Sequence, residues 1–134
     1  MAMSHPDVSQ GALRGRADPN GLNQHEPGAK LDAGKPDASL LLMFGQALTA
    51  VSQVGTFGAV KYTRGGWQDV PDGQQRYTAA LLRHVFEEHY GPIDPDSGLL
   101  HSAHAAWNAL ARLELELRGL GVPVAGTIDS ELER

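Results

Sequence analysis

Apolar residues recur at helical spacing in three stretches of the chain, separated by turn-forming segments. The first stretch predicts a helix over about 39–53. The apolar residues of this stretch lie along one face of the predicted helix and extend onto a second face. They are Leu40, Leu41, Leu42, Met43, Phe44, Ala47, Leu48 and Val51. Gly55 is expected to interrupt this helix, and a short helix is expected to follow over about 56–62.

Two further long helices are predicted over about 74–89 and 99–118. Gly91 and Pro92 end the first of them, and Gly119 stands where a glycine commonly ends a helix. No alternating strand pattern persists anywhere in the chain. The sequence therefore predicts an all-α fold, a helical bundle of three long helices plus a short one.

The segments outside these helices differ in composition. Residues 1–28 are rich in Pro, Gly, Asn, Asp and Ser, which predicts a flexible, disordered N-terminal arm. We expect the helical domain to cover residues 29–118 and a C-terminal tail to cover residues 119–134.

Composition excludes several classes of site. The 134 residues suit one domain, and the absence of cysteine excludes a disulfide framework or a thiolate metal site. A net charge of −5 and a pI near 5.6 argue against general nucleic-acid binding. No apolar run is expected to approach the roughly 20 residues that span a bilayer. These features, with no signal-peptide pattern, predict a cytoplasmic protein with no membrane or nucleic-acid partner.

Two of the predicted helices carry an apolar face and a separate polar face. Core stripes are predicted at Leu82, Val85 and Phe86 and at Ala106, Leu110, Leu113 and Leu117. The polar faces carry His84, Glu87 and Glu88 on one helix and His101, His104 and Asn108 on the other. A short connection containing Asp94 and Asp96 favours antiparallel neighbours, so these groups are expected to meet at one end of the bundle.

Such a cluster indicates a divalent-metal site. The predicted ligands are His84, Glu87, Glu88, Asp94 and His104. Carboxylate oxygens favour Mg²⁺, whereas imidazole shifts the preference towards Mn²⁺ or Co²⁺. For His101 alone, an exposed position at the start of a helix is the preferred interpretation.

Other residues near the predicted site are candidates for substrate contacts. Lys30, Lys35, Lys61 and Arg83 could bind phosphate, and Asn108 could supply a polar contact. Trp67 lies in a glycine-rich loop, where it could stack on a base or fill the core. Trp107 and Phe44 are expected in the core. Glu114 lies inside an apolar arc, either as a distant ligand or as a buried acid bonded to another helix.

Several strings occur together over about residues 29–118. They are KLDAGKP from Lys30, TFGAVKY from Thr56, RYTAALLRH from Arg76, DPDSGLLH from Asp94 and HAAWN from His104. In this combination the chain resembles the phage and prophage dATP/dGTP diphosphohydrolase-like family. That family is distantly similar to the all-α MazG-type nucleotide pyrophosphohydrolases. The MazG acidic pattern itself is incomplete here, because Gly91 and Leu117 stand where it requires carboxylates.

The resemblance implies metal-dependent hydrolysis of dGTP and dATP to a monophosphate and pyrophosphate, in the host cytoplasm if the chain is phage-encoded. Glu88 or His84 would then take the proton from the attacking water. The alternatives are a non-catalytic protein that binds and sequesters a nucleotide, a structural or assembly protein of a phage and, with less support, an HD-type phosphohydrolase. Helices that are apolar on two sides also predict a homo-oligomer.

Overall fold

The computed structural model describes residues 17–121, which fall into two units. Of the described residues, the first unit contains 17–38 and Gly121, and the second contains 39–120. The second unit is helical, and the all-α prediction is confirmed. Its α-helices are α1 (Gly45–Lys61), α2 (Gly73–Glu88) and α3 (His101–Gly119), with 3₁₀ helices at Ala38–Phe44 and Gly66–Asp69. Within residues 17–121 there is no strand, only an isolated bridge between Ile93 and Leu100.

The first helix differs from its prediction at both ends. Residues Ala38–Phe44 form a 3₁₀ helix, and α1 then runs without a break through Gly55 to Lys61. The predicted interruption and the separate short helix over 56–62 are therefore wrong. Gly55 is retained within the helix because its missing side chain gives Trp107 of α3 room to pack against the backbone.

Both α1 and α2 run antiparallel to α3, as two contacts for each helix show. A side chain on Gly73, at the start of α2, would meet Leu115 near the end of α3. His84, near the end of α2, reaches His101 at the start of α3. In α1, Gly55 faces Trp107 and Lys61 bonds Asp96, just before α3. The predicted meeting of helix ends is thereby observed.

The close approach at Gly55 leads to a testable expectation. A Cβ at position 55 would lie 2.6 Å from Cζ3 of Trp107, whereas a Cβ at Gly58 would meet nothing within 4 Å. Gly55→Ala should therefore destabilise the fold by about 1–3 kcal/mol, as overpacking does. Gly58→Ala, the control on the same helix, should stabilise it by about 0.5–1 kcal/mol because Ala favours helix. Urea unfolding of both variants measures the difference; equal effects would contradict the observed Trp107 packing.

The buried centre of the second unit is as polar as it is apolar. Its buried apolar residues are Val51, Val54, Ala103 and Ala111, and its buried polar residues are His84, His101, His104 and Asn108. The predicted core stripes are wrong at several positions, because Leu82, Val85, Phe86, Leu110 and Leu113 are exposed. The face of α2 and α3 that meets the other helix is the histidine face, so the apolar stripes point outwards.

The first helical segment also exposes apolar surface. The run from Leu40 to Phe44 is exposed at every position, and Met43 is 81% exposed. The core position predicted for Phe44 is therefore wrong. By length and composition alone, Ala38–Lys61 is one helical segment apolar enough to cross a membrane. This differs from the sequence-based expectation, because the 3₁₀ helix joins α1 into one segment of 24 residues.

The described part of the first unit, residues 17–38, is organised by a buried carboxylate. Asp18 accepts hydrogen bonds from the backbone N–H groups of Asn20 at 2.7 Å, Leu22 at 3.3 Å and Lys30 at 2.8 Å. The N–H of Ala33 donates to the carbonyl of Ala17 at 2.9 Å. Residues 1–16 of the expected arm, and residues 122–134 of the tail, lie outside the described residues.

These hydrogen bonds give the loop a defined pH response. The Lys30 amide, followed by those of Asn20 and Leu22, lowers the pKa of Asp18 below its usual value of 3.8, against an opposing effect of burial. The stabilisation is therefore complete above pH 3.8 and is lost as the pH falls through the lower folded-state pKa. Asp18→Ala should abolish amide protection at Lys30 at any pH, and Asp32→Ala is the control. Hydrogen exchange measured by NMR that left Lys30 protected in Asp18→Ala would refute this account.

Candidate metal centre

The segment between α2 and α3 brings the ends of these helices together. The N–H of Asp94 donates to the carbonyl of Leu99 at 2.8 Å, and the N–H of Gly98 donates to the carbonyl of Asp94 at 2.7 Å. Gly98 adopts a φ of +73°, which favours glycine. The N–H of His101 bonds the carbonyl of Pro92 at 2.8 Å. This tight connection places the Asp94 side chain beside the first turn of α3.

Three histidines form the centre of the cluster. His84 Nδ1 and His101 Nδ1 are 3.0 Å apart, so one nitrogen donates and the other accepts. The rings of His84 and His104 are stacked, with centroids 4.5 Å apart and planes inclined by 8°. His101 and His104 lie one helical turn apart on α3, and both face α2. The HxxH spacing thus places two imidazoles against a third from the neighbouring helix.

One carboxylate faces this group of imidazoles. Asp94 Oδ2 lies 3.5 Å from His104 Nε2 and 4.0 Å from His84 Nδ1. Its other oxygen accepts from the N–H of Asp96 at 2.9 Å, which fixes the orientation of the carboxyl group. Glu87 Oε2 approaches His101 Nδ1 at 3.7 Å from a more exposed position. The cluster therefore combines imidazole nitrogens with one anchored acid and one acid at its edge.

Ser97 completes the surroundings of His104. Its Oγ lies 2.6 Å from His104 Nε2 and accepts a hydrogen bond from the N–H of Leu99 at 3.1 Å. Either atom can donate in this hydrogen bond, depending on which nitrogen of the His104 ring carries the proton. The edge of the Phe57 ring from α1 packs against the His104 ring, with centroids 6.1 Å apart. These contacts hold His104 in one orientation.

Burial favours the uncharged form of His84 and His104. His101 is 3% exposed, and burial lowers the pKa of both His84 and His104 below the usual 6.5. Neighbouring imidazoles lower both pKa values further, whereas Asp94 opposes the effect. Neutral imidazole is the form that ligates metal ions, so protons compete weakly at near-neutral pH.

The donor set fits a divalent cation. His84, Asp94 and His101 each offer one ligand atom, and these atoms lie within 4.8 Å of one another. Two imidazole nitrogens and a carboxylate oxygen are typical of Mn²⁺, Fe²⁺, Co²⁺ or Zn²⁺ sites, whereas all-oxygen sites are typical of Mg²⁺. His104, stacked on His84, is a fourth donor residue at the same place and the third that offers a nitrogen.

The other predicted ligands and the predicted base lie at different distances from this cluster. Glu87 borders it, whereas Glu88 is exposed, and no contact described within residues 17–121 joins the Glu88 side chain to the histidines. Asn108 is buried one turn beyond His104, where its Nδ2 donates to the His104 carbonyl at 2.8 Å. That amide therefore supports the helix that carries the cluster.

The predicted phosphate-binding groups are also dispersed. Lys61 lies close to the cluster, because its Nζ bonds Asp96 Oδ2 at 2.8 Å. Arg83 is exposed on α2 beside His84. Lys30 and Lys35 belong to the first unit. Among these four residues, Lys61 is the one with a described contact that ties it to the loop bearing Asp94.

Trp107 lies further along α3, and Trp67 lies in the 3₁₀ helix Gly66–Asp69. Trp67 packs edge-to-face on Trp107, with ring centroids 6.4 Å apart, and its carbonyl accepts a hydrogen bond from the Tyr77 hydroxyl at 2.9 Å. Glu114 is half-buried and bonds Arg118 of its own helix at 3.1 Å. The interpretation of Glu114 as an acid bonded to another helix is therefore wrong.

Sequence reasoning missed two members of the cluster. His101 was expected to be exposed, yet it is buried and bonded to His84. The HxxH spacing contained the signal, since His101 shares a helix face with His104. Ser97 was not predicted, and its position follows only from the folded turn between the helices. A serine in a turn carries no metal signal of its own.

The family model described as dATP/dGTP diphosphohydrolase, N-terminal, matches residues 25–123. The chain belongs to this family. The match covers the histidine cluster and both predicted polar helix faces, so the resemblance inferred from the sequence strings is confirmed. No curated protein and no solved structure matches the chain. The description of the family names dATP and dGTP, which implies a nucleotide substrate and a hydrolase.

Proposed function

We propose that this chain is a metal-dependent hydrolase that converts dGTP and dATP to the monophosphate and pyrophosphate. The observation that carries the proposal is the buried convergence of His84, His101 and Asp94 on one point, within a family described by activity on these two nucleotides. The proposed setting is the cytoplasm, without a membrane or nucleic-acid partner.

The proposed cation is held by His84, His101 and Asp94, with His104 beside them. Mg²⁺ is the ion that the resemblance favours, but the imidazole content supports Mn²⁺ or Co²⁺. A bound cation lowers the pKa of a coordinated water and offsets phosphate charge. The lowered pKa values of His84 and His104 support the same assignment, because protonated imidazole cannot ligate.

The remaining proposed roles belong to charged groups at the border of the cluster. Lys61 faces the triphosphate, since it is the cation tied to the Asp94 loop through Asp96. Glu87 takes the proton as water oxygen attacks phosphorus and pyrophosphate leaves, because its carboxylate lies closer to the cluster than that of Glu88. The sequence also suggested His84 as the base that takes the proton from water. If the ring nitrogen of His84 that faces the cluster binds the metal ion, that nitrogen does not accept the proton. Binding of phosphate by Lys30, Lys35 and Arg83, and of substrate by Trp67 and Asn108, remains a proposal.

The test identifies both products and the dependence on metal. We expect phosphorus NMR to show pyrophosphate and dGMP from dGTP with Mn²⁺ or Co²⁺, and no turnover in excess EDTA. Glu87→Gln should lower turnover by about 10²-fold or more, and the control Glu88→Gln by much less. Orthophosphate or tripolyphosphate as the product would contradict the proposed bond cleavage. Nucleotide binding with no turnover under any metal would favour the non-catalytic binding protein.

We also propose that the chain is a homo-oligomer. Every position from Leu40 to Phe44 in the first helical segment is exposed and apolar, and further apolar side chains are exposed on α2 and α3. Light scattering should give at least twice the chain mass of 14.3 kDa. Leu42→Glu should shift the population towards the monomer, and the control Gln46→Glu, on α1, should not. A wild-type particle of 14.3 kDa would rule out self-association.

A further inference from the structure

Apart from the proposed substrate contact of Trp67, the groove along the C-terminal half of α3 has no assigned role in the proposed hydrolysis. Its volume is about 260 Å³, and its lining is Trp67, Trp107, Leu110, Ala111, Leu113, Glu114 and Leu117. This volume is below the roughly 300–1,000 Å³ of pockets that enclose drug-sized ligands. The groove therefore suits one flat ring system and not a whole nucleotide.

Contacts on both sides hold the aromatic walls of the groove in place. Trp107 is seated against Gly55 of α1, where no side chain competes for the space. The Tyr77 hydroxyl binds the Trp67 carbonyl, and the Arg118 guanidinium lies 5.6 Å from the Trp67 ring centroid. Indole rings held in place offer stacking surface to a nucleobase, as in proteins that bind single-stranded nucleic acids.

Glu114 is the single acid among the groove residues. Its Oε2 accepts from Arg118 Nε at 3.1 Å, while Arg118 Nη1 donates to Gln68 Oε1 at 2.8 Å. Arg118 thus links Glu114 to the Trp67 wall and orients the carboxylate. A carboxylate accepts at two oxygens, and the described contact occupies only one of them. The groove therefore combines stacking surface with an oriented acceptor of hydrogen bonds.

The groove and the proposed metal centre lie on the same helix, α3. Ala111, which lines the groove, lies on the buried side of α3 that also carries His104 and Asn108. Seven residues separate His104 from Ala111, which corresponds to a rise of roughly 10 Å. This distance is comparable with the separation of base and outer phosphates in a nucleoside triphosphate. One ligand could therefore reach both places.

We infer that this groove binds the purine base of the substrate and that Glu114 selects guanine. The inference rests on the proposed function for the nature of the ligand. Guanine presents an N1–H and an exocyclic amino group side by side, and both donate to a carboxylate. Adenine presents an unprotonated N1 at that edge, which a carboxylate repels. Glu114 is then a specificity-determining residue for dGTP over dATP.

The test measures base binding without requiring catalysis. Trp67 and Trp107 are the two tryptophans of the chain, so intrinsic fluorescence reports on the groove. In EDTA, dGMP should quench this fluorescence with an affinity about tenfold or more above that of dAMP, since two donors to a charged acceptor are lost. The affinity of dIMP, which keeps N1–H but lacks the amino group, should lie between the two.

Matched variants separate Glu114 from general effects of charge. Glu114→Gln should abolish the preference for dGMP, and Glu116→Gln, which removes an acid paired with Arg112 on the same helix, should keep it. Circular dichroism checks that both variants fold.

Equal affinities for dGMP and dAMP, or an unchanged preference in Glu114→Gln, would overturn the inference even if dNTP hydrolysis is found. Selective dGMP binding without turnover would support it and contradict the proposed function. Fluorescence that responds to protein concentration alone would assign the groove to a second copy of the chain and overturn the inference.

Discussion

Replacing His101 by alanine should lower the affinity for Mn²⁺ or Co²⁺ by about 100-fold or more and reduce metal-dependent turnover in parallel. Loss of a residue that only supports a ligand already costs about 10–100-fold, and His101 supplies a ligand atom itself. The variant also removes the partner of His84 Nδ1, so we expect a loss of about 1–3 kcal/mol in stability. Calorimetry with each metal, together with thermal unfolding, measures both effects.

The control for this variant is His89→Ala. His89 is exposed just after α2 and has a ring contact with Tyr90, outside the cluster. Its replacement should leave both metal affinity and turnover unchanged. If His101→Ala and His89→Ala bind metal equally well, the centre does not use His101, and the exposed acids at the border become the better candidates.

Asp94→Asn should have the second large effect, because it removes the anchored negative charge beside the imidazoles. The amide oxygen can still accept from the N–H of Asp96, so the turn should keep its shape. A neutral oxygen binds a divalent cation much more weakly than a carboxylate. We therefore expect an affinity loss of about 100-fold with little change in unfolding temperature.

Asp96→Asn is the matched control for the charge on the same turn. It breaks the ion pair with Lys61 at 2.8 Å without touching the ring nitrogens. Metal affinity should be nearly unchanged in this variant, and the KM for nucleotide should change through Lys61. Equal losses of metal affinity in both variants would mean that general negative charge is sufficient and that Asp94 is not a specific ligand.

The sequence predicted the bounds of α2 and α3 well, but it did not predict the path of α1. The bounds of α2 and α3 were predicted to within two residues, since Gly91, Pro92 and Gly119 are local stop signals. The path of α1 through Gly55 was not predicted, because a glycine inside a helix is judged locally as an interruption. The indole of Trp107, distant in sequence, makes glycine suitable at this position.

The candidate site was likewise predicted only in part from the sequence. The polar faces of α2 and α3, with the short connection between them, were sufficient to group His84, Asp94 and His104. Their arrangement within the group does not follow from spacing along the chain. The seam between α2 and α3 buries His101 and leaves Glu88 outside, and this choice depends on which helix face meets its neighbour.

By itself, the sequence determined the all-α class, the membership of the family and the grouping of His84, Asp94 and His104. All three follow from local periodicity and from short strings of residues. Only the tertiary structure decided that the histidine face is buried while the leucine stripes are exposed. Both faces have helical spacing, and the sequence does not encode locally which of them packs against the neighbouring helix. The turn at Asp94–Leu99 and the close contacts at Gly55 and Gly73 determine that choice, because they fix how the helices meet.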